Sequence, residues 1–132
     1  MITIVGIFTI LHGLVHLLYT GQSLRLFEMQ PGLVWPDNSW AFLQLLGNET
    51  TRKLSAIVLI IAAILFAVGG FGIVFSQTWW RLSVISAAVF STFLYLLCWN
   101  GRFERLDDNG FVGILINIVL LIASLVLNWP KF

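Results

Sequence analysis

Four long apolar runs dominate the hydrophobic pattern, and polar residues gather in the connections between them. A helix needs about 20 predominantly apolar residues to cross a bilayer, and each run has about that length. We therefore predict four membrane spans, at about 2–20, 54–75, 79–99 and 111–129. Gly21 is expected to end the first. The pattern predicts an all-α fold, a four-transmembrane-helix antiparallel bundle that forms one integral membrane domain over residues 1–132.

The connection between the first two spans, about residues 22–53, is far longer than the others and rich in aromatic residues. Its segment at about 33–46 is too apolar for a free loop, so we expect it to lie in the membrane interface or over the helix ends. Aromatic rings at this density are costly to leave in water. Trp35, Trp40 and Phe42 should therefore be largely buried against helix ends or lipid headgroups.

Capping residues predict a short helix inside this loop. Asp37 or Asn38 would cap it, and it would run from Ser39 to Leu46. Gly47 would end this helix, and Asn48 would then cap the helix of the second span. The prediction is a short interfacial amphipathic helix that precedes the second span.

Four small residues of the second span share one narrow face, namely Ala56, Ala63, Ala67 and Gly70. Small side chains at this spacing let two helices approach closely in a membrane. We interpret the second helix as a packing element and assign no chemistry to it.

Composition supports the same class of protein. The chain is 59% hydrophobic and only 10% charged, with a mean hydropathy of +0.96, whereas soluble domains are about 25% charged. A net charge of +1 without a basic stripe argues against nucleic-acid binding. The single cysteine, Cys98, cannot form an internal disulfide or a redox pair.

Polar residues recur on one face of three of the predicted helices. Each residue advances about 100° around a helix, so residues four apart share a face. By helical rise, these polar groups lie at similar depths beneath the long loop. Such convergence predicts an apolar pocket with a few polar groups, or a polar packing core with the same inward faces. The candidate ligand-binding residues are His12, His16, Tyr19, Ser91, Tyr95 and Asn117.

His12 and His16 are the most unusual pair, because ionisable residues within spans are candidates for function. Two histidines four residues apart can also hold one metal ion. No other histidine exists and the spans hold no carboxylate, so further ligands are lacking. The alternative is that both imidazoles are neutral and hydrogen-bond neighbouring helices. The sequence assigns no catalytic residue and no cofactor.

Lysine and arginine are distributed unequally between the two sides of the predicted bundle. Four spans place both termini on one side, together with Arg81 and Lys131. The other side carries Arg25, Arg52, Lys53, Arg102 and Arg105. Because cytoplasmic loops carry the excess of lysine and arginine, the long loop should be cytoplasmic and the termini outside. We expect a prokaryotic plasma membrane.

Four features of the chain carry a resemblance to a known family: its length, its number of spans, the stretch with His12 and His16, and the string WPDNSWAF at residues 35–42. In these features the chain resembles the small DoxX-like four-helix membrane proteins, including uncharacterised prokaryotic members. The resemblance implies a four-helix bundle and no particular activity.

Three functions follow as hypotheses. The first is binding of a small apolar molecule, quinone- or lipid-like, with His16 or Tyr95 bonding its polar head. The second is an accessory or structural subunit of a larger membrane complex, and the third is a metal-linked redox enzyme. Whether the chain is an enzyme stays open. The expected partners are the lipid bilayer, an apolar small molecule, and other membrane proteins or a second copy.

Overall fold

A computed structural model describes all 132 residues, and the chain is helical without any strand. The helices are α1 (Ile2–Ser23), α2 (Leu43–Val74), α3 (Trp80–Leu97) and α4 (Phe111–Leu121), with a short 3₁₀ turn at Leu106–Asn109 and a π turn at Ile122–Val126. The first three are long and apolar enough to cross a membrane, and the apolar stretch Phe111–Val126 is shorter. The predicted all-α class, with four helices, is confirmed.

Consecutive helices pack against each other, α1 along α2, α2 along α3, and α3 along α4, whereas α1 and α4 hardly approach each other. Glycines set the α1–α2 contact. A Cβ placed on Gly70 would lie 2.7 Å from the backbone oxygen of Gly6, and one on Gly13 would lie 3.0 Å from that of Ala63. The predicted close approach at Ala63 and Gly70 is therefore confirmed.

Helix α1 extends past Gly21 to Ser23, so the predicted end at Gly21 is wrong. Two fully buried side chains account for the extra turn. Gln22 Nε2 donates to the backbone oxygen of Leu33 at 2.9 Å, and Ser23 Oγ donates to that of Arg52 at 2.7 Å. These bonds hold the last turn of α1 against the loop and the start of α2.

The separate helix predicted from Ser39 begins instead at Leu43 and is joined to α2. Gly47 interrupts the helical conformation with φ of 76° and ψ of 167°, a region that glycine enters without steric cost. Asn48 does not cap the helix that follows, because its Oδ1 accepts the backbone N–H of Asn38. The Asn48 side chain, which the sequence predicts to cap the helix, is therefore bonded to the loop instead.

The loop aromatics divide into a buried and an exposed set. Trp35 is 3% exposed and packs against Tyr19 and Tyr95, with ring centroids 5.1 and 5.7 Å away. Phe42 is half-buried, whereas Trp40 is 63% exposed and donates its Nε1–H to the backbone oxygen of Leu96. Burial is confirmed for Trp35. For Trp40, burial by protein is wrong and contact with headgroups stays a prediction.

Asp37 joins Arg25, two residues after the end of α1, to Arg52 in α2. Its carboxylate lies 3.0 Å from Arg25 Nη2 and accepts from Arg52 Nε at 2.6 Å. This hydrogen bond raises the pKa of the Arg52 guanidinium. The long loop is thus anchored over the ends of α1 and α2.

Candidate functional site

All six predicted site residues are buried, with at most 8% of any of them exposed, and they come from three helices. Helix α1 contributes His12, His16 and Tyr19, α3 contributes Ser91 and Tyr95, and α4 contributes Asn117. The two imidazoles lie between two apolar clusters. Both rings contact Phe66 of one cluster, and the His16 ring contacts Tyr95 of the other. The structure brings the predicted residues together.

Asn117 is the centre of a hydrogen-bond network across these helices. Its Oδ1 accepts from His12 Nε2 at 2.8 Å. Its Nδ2 donates to Ser91 Oγ at 2.9 Å and to Thr92 Oγ1 at 3.1 Å. One amide therefore links α1, α3 and α4, and its donors and its acceptor are all used.

His16 completes the network on α1. Its Nδ1 donates to the backbone oxygen of His12 at 2.9 Å, and its Nε2 accepts the hydroxyl hydrogen of Ser91 at 2.6 Å. This pattern needs one proton on each imidazole, which is the neutral form. In that form both ring nitrogens of His16 are used, whereas Nδ1 of His12 accepts no hydrogen bond from the chain.

The two tyrosines stand apart from this network. The Tyr19 hydroxyl donates to the backbone oxygen of Asp107 at 3.1 Å. The Tyr19 and Tyr95 rings are 5.1 Å apart and form an aromatic layer with Trp35. Of the two, Tyr95 contacts the histidine cluster through the His16 ring and not through a hydrogen bond.

None of the cavities in the structure is lined by any of the six predicted residues. The cluster is filled by its own side chains, so a ligand could bind to His16 or Tyr95 only if these contacts opened. The ligand-binding role of the six residues stays a prediction.

A metal role for the histidines lacks protein ligands. No three His, Cys, Asp or Glu side chains lie close enough together to hold a metal ion. Cys98, which directly follows α3, is buried, and its Sγ lies 3.2 Å from Ser55 Oγ in a hydrogen bond. This thiol contributes to packing between α2 and α3.

An apolar groove lies between α1 and α4, and sequence reasoning did not predict it. We call the line along which these two helices face each other the seam. It has a volume of about 290 Å³ at one end, and an adjoining cavity of about 340 Å³ shares three lining residues with it, Phe8, Val119 and Leu120. The Phe8 ring is parallel to that of His12, with centroids 6.4 Å apart. The groove therefore adjoins the His12–Asn117 hydrogen bond that crosses the seam.

Sequence reasoning also missed a polar cavity beneath the long loop, because its walls come from segments far apart in the chain. Twelve residues drawn from the segments 32–38 and 100–109 line it together. Their loop character was visible in the sequence, but nothing in the sequence indicated that they meet.

No protein-family model, curated protein or solved structure matches this chain. The resemblance to DoxX-like proteins therefore stays an expectation, and the functional argument rests on geometry.

Proposed function

We propose that this chain is a four-span integral membrane protein that binds a small apolar molecule, quinone- or lipid-like, in the seam between α1 and α4. The observation that carries the proposal is the open seam itself. Each pair of consecutive helices packs closely, whereas α1 and α4 leave an apolar groove of about 290 Å³ between them. A mostly apolar pocket with a few polar groups is the usual form of a small-molecule site.

The antiparallel four-span arrangement is part of this proposal. Contacts between Gly6 and Gly70 at one end and between Ser23 and Arg52 at the other support opposite directions for α1 and α2. The stretch Phe111–Val126 would rise about 24 Å as a helix, and Trp129 follows it at a position suited to the membrane interface. The side that holds the long loop would be cytoplasmic, as the lysine and arginine distribution indicates.

The lining of the seam favours an aliphatic or isoprenoid tail. Eight of the ten residues around the 290 Å³ groove are hydrophobic, among them Ile4, Val5 and Leu120. Trp80 and Trp129 also line this groove, and tryptophan rings are suited to the membrane interface. A tail in this groove would replace contacts with mobile lipid by contacts with fixed side chains.

The polar end of the ligand would meet His12. In the hydrogen-bonded tautomer, Nδ1 of this ring is an acceptor without a partner from the chain. A hydroxyl from a lipid or from a reduced quinone could donate to it. His16 is less suited to this role because both of its ring nitrogens are already bonded.

Thermal unfolding of the purified chain in detergent, with and without a short-chain quinol and a monoacylglycerol, tests the proposal. A ligand that binds only the folded state raises the midpoint, by an amount that grows with the logarithm of its concentration above the dissociation constant. Val119→Phe should fill part of the groove and remove this increase. Val68→Phe is the matched control, because Val68 is also partly exposed but lines no cavity. Equal responses of the two variants would refute the seam as the site.

A second candidate is an accessory subunit, in which the helix of a partner protein fills the seam. The same open contact between α1 and α4 supports it, because such a gap can accept a transmembrane helix. Cysteine cross-linking from Val119 in native membranes distinguishes the two. A cross-linked product with another chain would favour the subunit, and its absence together with ligand-induced stabilisation would favour the binding protein.

A further inference from the structure

The polar cavity beneath the long loop is separate from the seam and has a different chemistry. Its volume is about 210 Å³, and only three of its twelve lining residues are hydrophobic. Arg102, Glu104 and Arg105 are exposed lining residues, so water-soluble molecules can reach it. The volume is several times the roughly 30 Å³ that a water molecule occupies in the liquid, so a larger molecule has room.

Two buried polar atoms on the lining residues have no hydrogen-bond partner. They are Trp35 Nε1, on a residue 3% exposed, and Asp108 Oδ1, on a residue 5% exposed. Only one other buried side-chain atom in the chain lacks a partner, Arg81 Nε, which does not line this cavity. A buried polar group without a partner is unfavourable, so a partner from outside the chain is expected here.

Asp37 and Asp108, the two lining carboxylates that are not exposed, are already paired within the chain. Asp108 Oδ2 accepts from Arg105 Nε at 2.7 Å, and Asp37 is paired with Arg25 and Arg52. An ammonium ion would satisfy only the free carboxylate oxygen, and an anion would satisfy only the indole N–H. A hydroxyl group satisfies both, because it donates one hydrogen and accepts another.

We propose that this cavity binds a neutral polyhydroxyl molecule of the size of one sugar or cyclitol ring. Hydroxyls of the ring donate to Asp108 Oδ1 and accept from Trp35 Nε1, and the polar walls bond the others. The ring can arrive as a free sugar or as the headgroup of a glycolipid, since the chemistry is the same. This site goes beyond the proposed function, because neither atom belongs to the α1–α4 seam.

The test measures thermal unfolding of the full chain in a detergent that contains no sugar, titrated with D-glucose, myo-inositol and glycerol. A second arm places the protein in phosphatidylcholine nanodiscs with and without a glucosyl diacylglycerol. We expect the midpoint to rise with the logarithm of concentration for at least one ring polyol, once its dissociation constant is exceeded, and to show no such rise with glycerol. A logarithmic rise with free sugar identifies a soluble ligand, and a response confined to the glycolipid nanodiscs identifies a headgroup.

Matched variants make the result specific. Trp35→Phe removes the indole N–H and keeps an aromatic ring, and Asp108→Asn keeps the size of the side chain. Each should raise the dissociation constant at least about tenfold. Asp107→Asn and Trp79→Phe are the controls, since neither residue lines the cavity, and they should bind as the unmodified chain does.

Sugars also stabilise proteins without binding, because they are excluded from the surface. That effect increases in proportion to the sugar concentration and is the same in every variant. A midpoint that rises only in this way would overturn the proposal, as would full affinity in both Trp35→Phe and Asp108→Asn. If Trp35→Phe fails to fold, Asp108→Asn decides alone. An experimental structure at saturating sugar with only water on Trp35 Nε1 and Asp108 Oδ1 would also overturn it.

Discussion

Replacing Gly70 with alanine tests whether α1 and α2 are held at the short distance that the structure shows. A Cβ at this position would lie 2.7 Å from the backbone oxygen of Gly6 and 2.5 Å from Cγ1 of Ile10. Ordinary contact begins at about 3.4 Å. The side chain of Ile10 can rotate, but a backbone oxygen cannot move without its helix. The two helices would have to separate by several tenths of an ångström.

Two opposing effects set the size of the change. Alanine is better than glycine inside a helix by about 0.5–1 kcal/mol. Overpacking of a close contact costs about 1–3 kcal/mol. Gly70→Ala should therefore lower the free energy of unfolding by about 1–2 kcal/mol.

Gly113→Ala in α4 is the matched control. Its Cβ would meet Tyr95 at 3.7 Å and His12 at 3.9 Å, which are ordinary contacts. This variant should be as stable as the unmodified chain or more stable by up to about 1 kcal/mol. Reversible unfolding in mixed detergent micelles measures both. If Gly70→Ala is no less stable than Gly113→Ala, the close α1–α2 contact is refuted.

Three further predictions concern the network, the topology and the loop. Ser91→Ala should cost about 1–2 kcal/mol of unfolding free energy, because two buried hydrogen bonds are lost, whereas Ser86→Ala should cost nothing measurable. In intact cells, Glu49→Cys should not react with an impermeant thiol reagent, Cys98 being buried and silent; ready labelling would reverse the topology. Asp37→Asn should speed amide hydrogen exchange in the loop, and an unchanged rate would contradict the anchor.

The buried polar cluster could be predicted from sequence because helical periodicity decides it. His12, His16, Ser91 and Asn117 stand on the polar faces of otherwise apolar helices, and a polar group in hydrocarbon needs a partner. Which atoms pair was not predictable, since this depends on helix rotation and depth. Tyr19 and Tyr95 lie on the same faces, yet they pack with Trp35 and make no hydrogen bond to the imidazoles.

The loop and the cavities lay beyond sequence reasoning, because long-range contacts decide them. A glycine such as Gly21 is typical of a helix end, but hydrogen bonds from Gln22 and Ser23 to distant backbone oxygens prolong α1. Asparagine is also a typical helix cap, but the side chain of Asn48 accepts a hydrogen bond from the backbone N–H of Asn38. Likewise, the polar atoms of Trp35 and Asp108 that lack a hydrogen-bond partner can be identified only once the two loop segments are placed together in the structure.

An experimental structure of the protein in lipid nanodiscs tests the central claim most directly, through the density in the seam between α1 and α4. We predict elongated non-protein density along Phe8, Val119 and Leu120, with its polar end at His12 and with the hydrogen bond from His12 to Asn117 intact. A seam closed by side chains of α1 and α4, or filled by the helix of another chain, would contradict it.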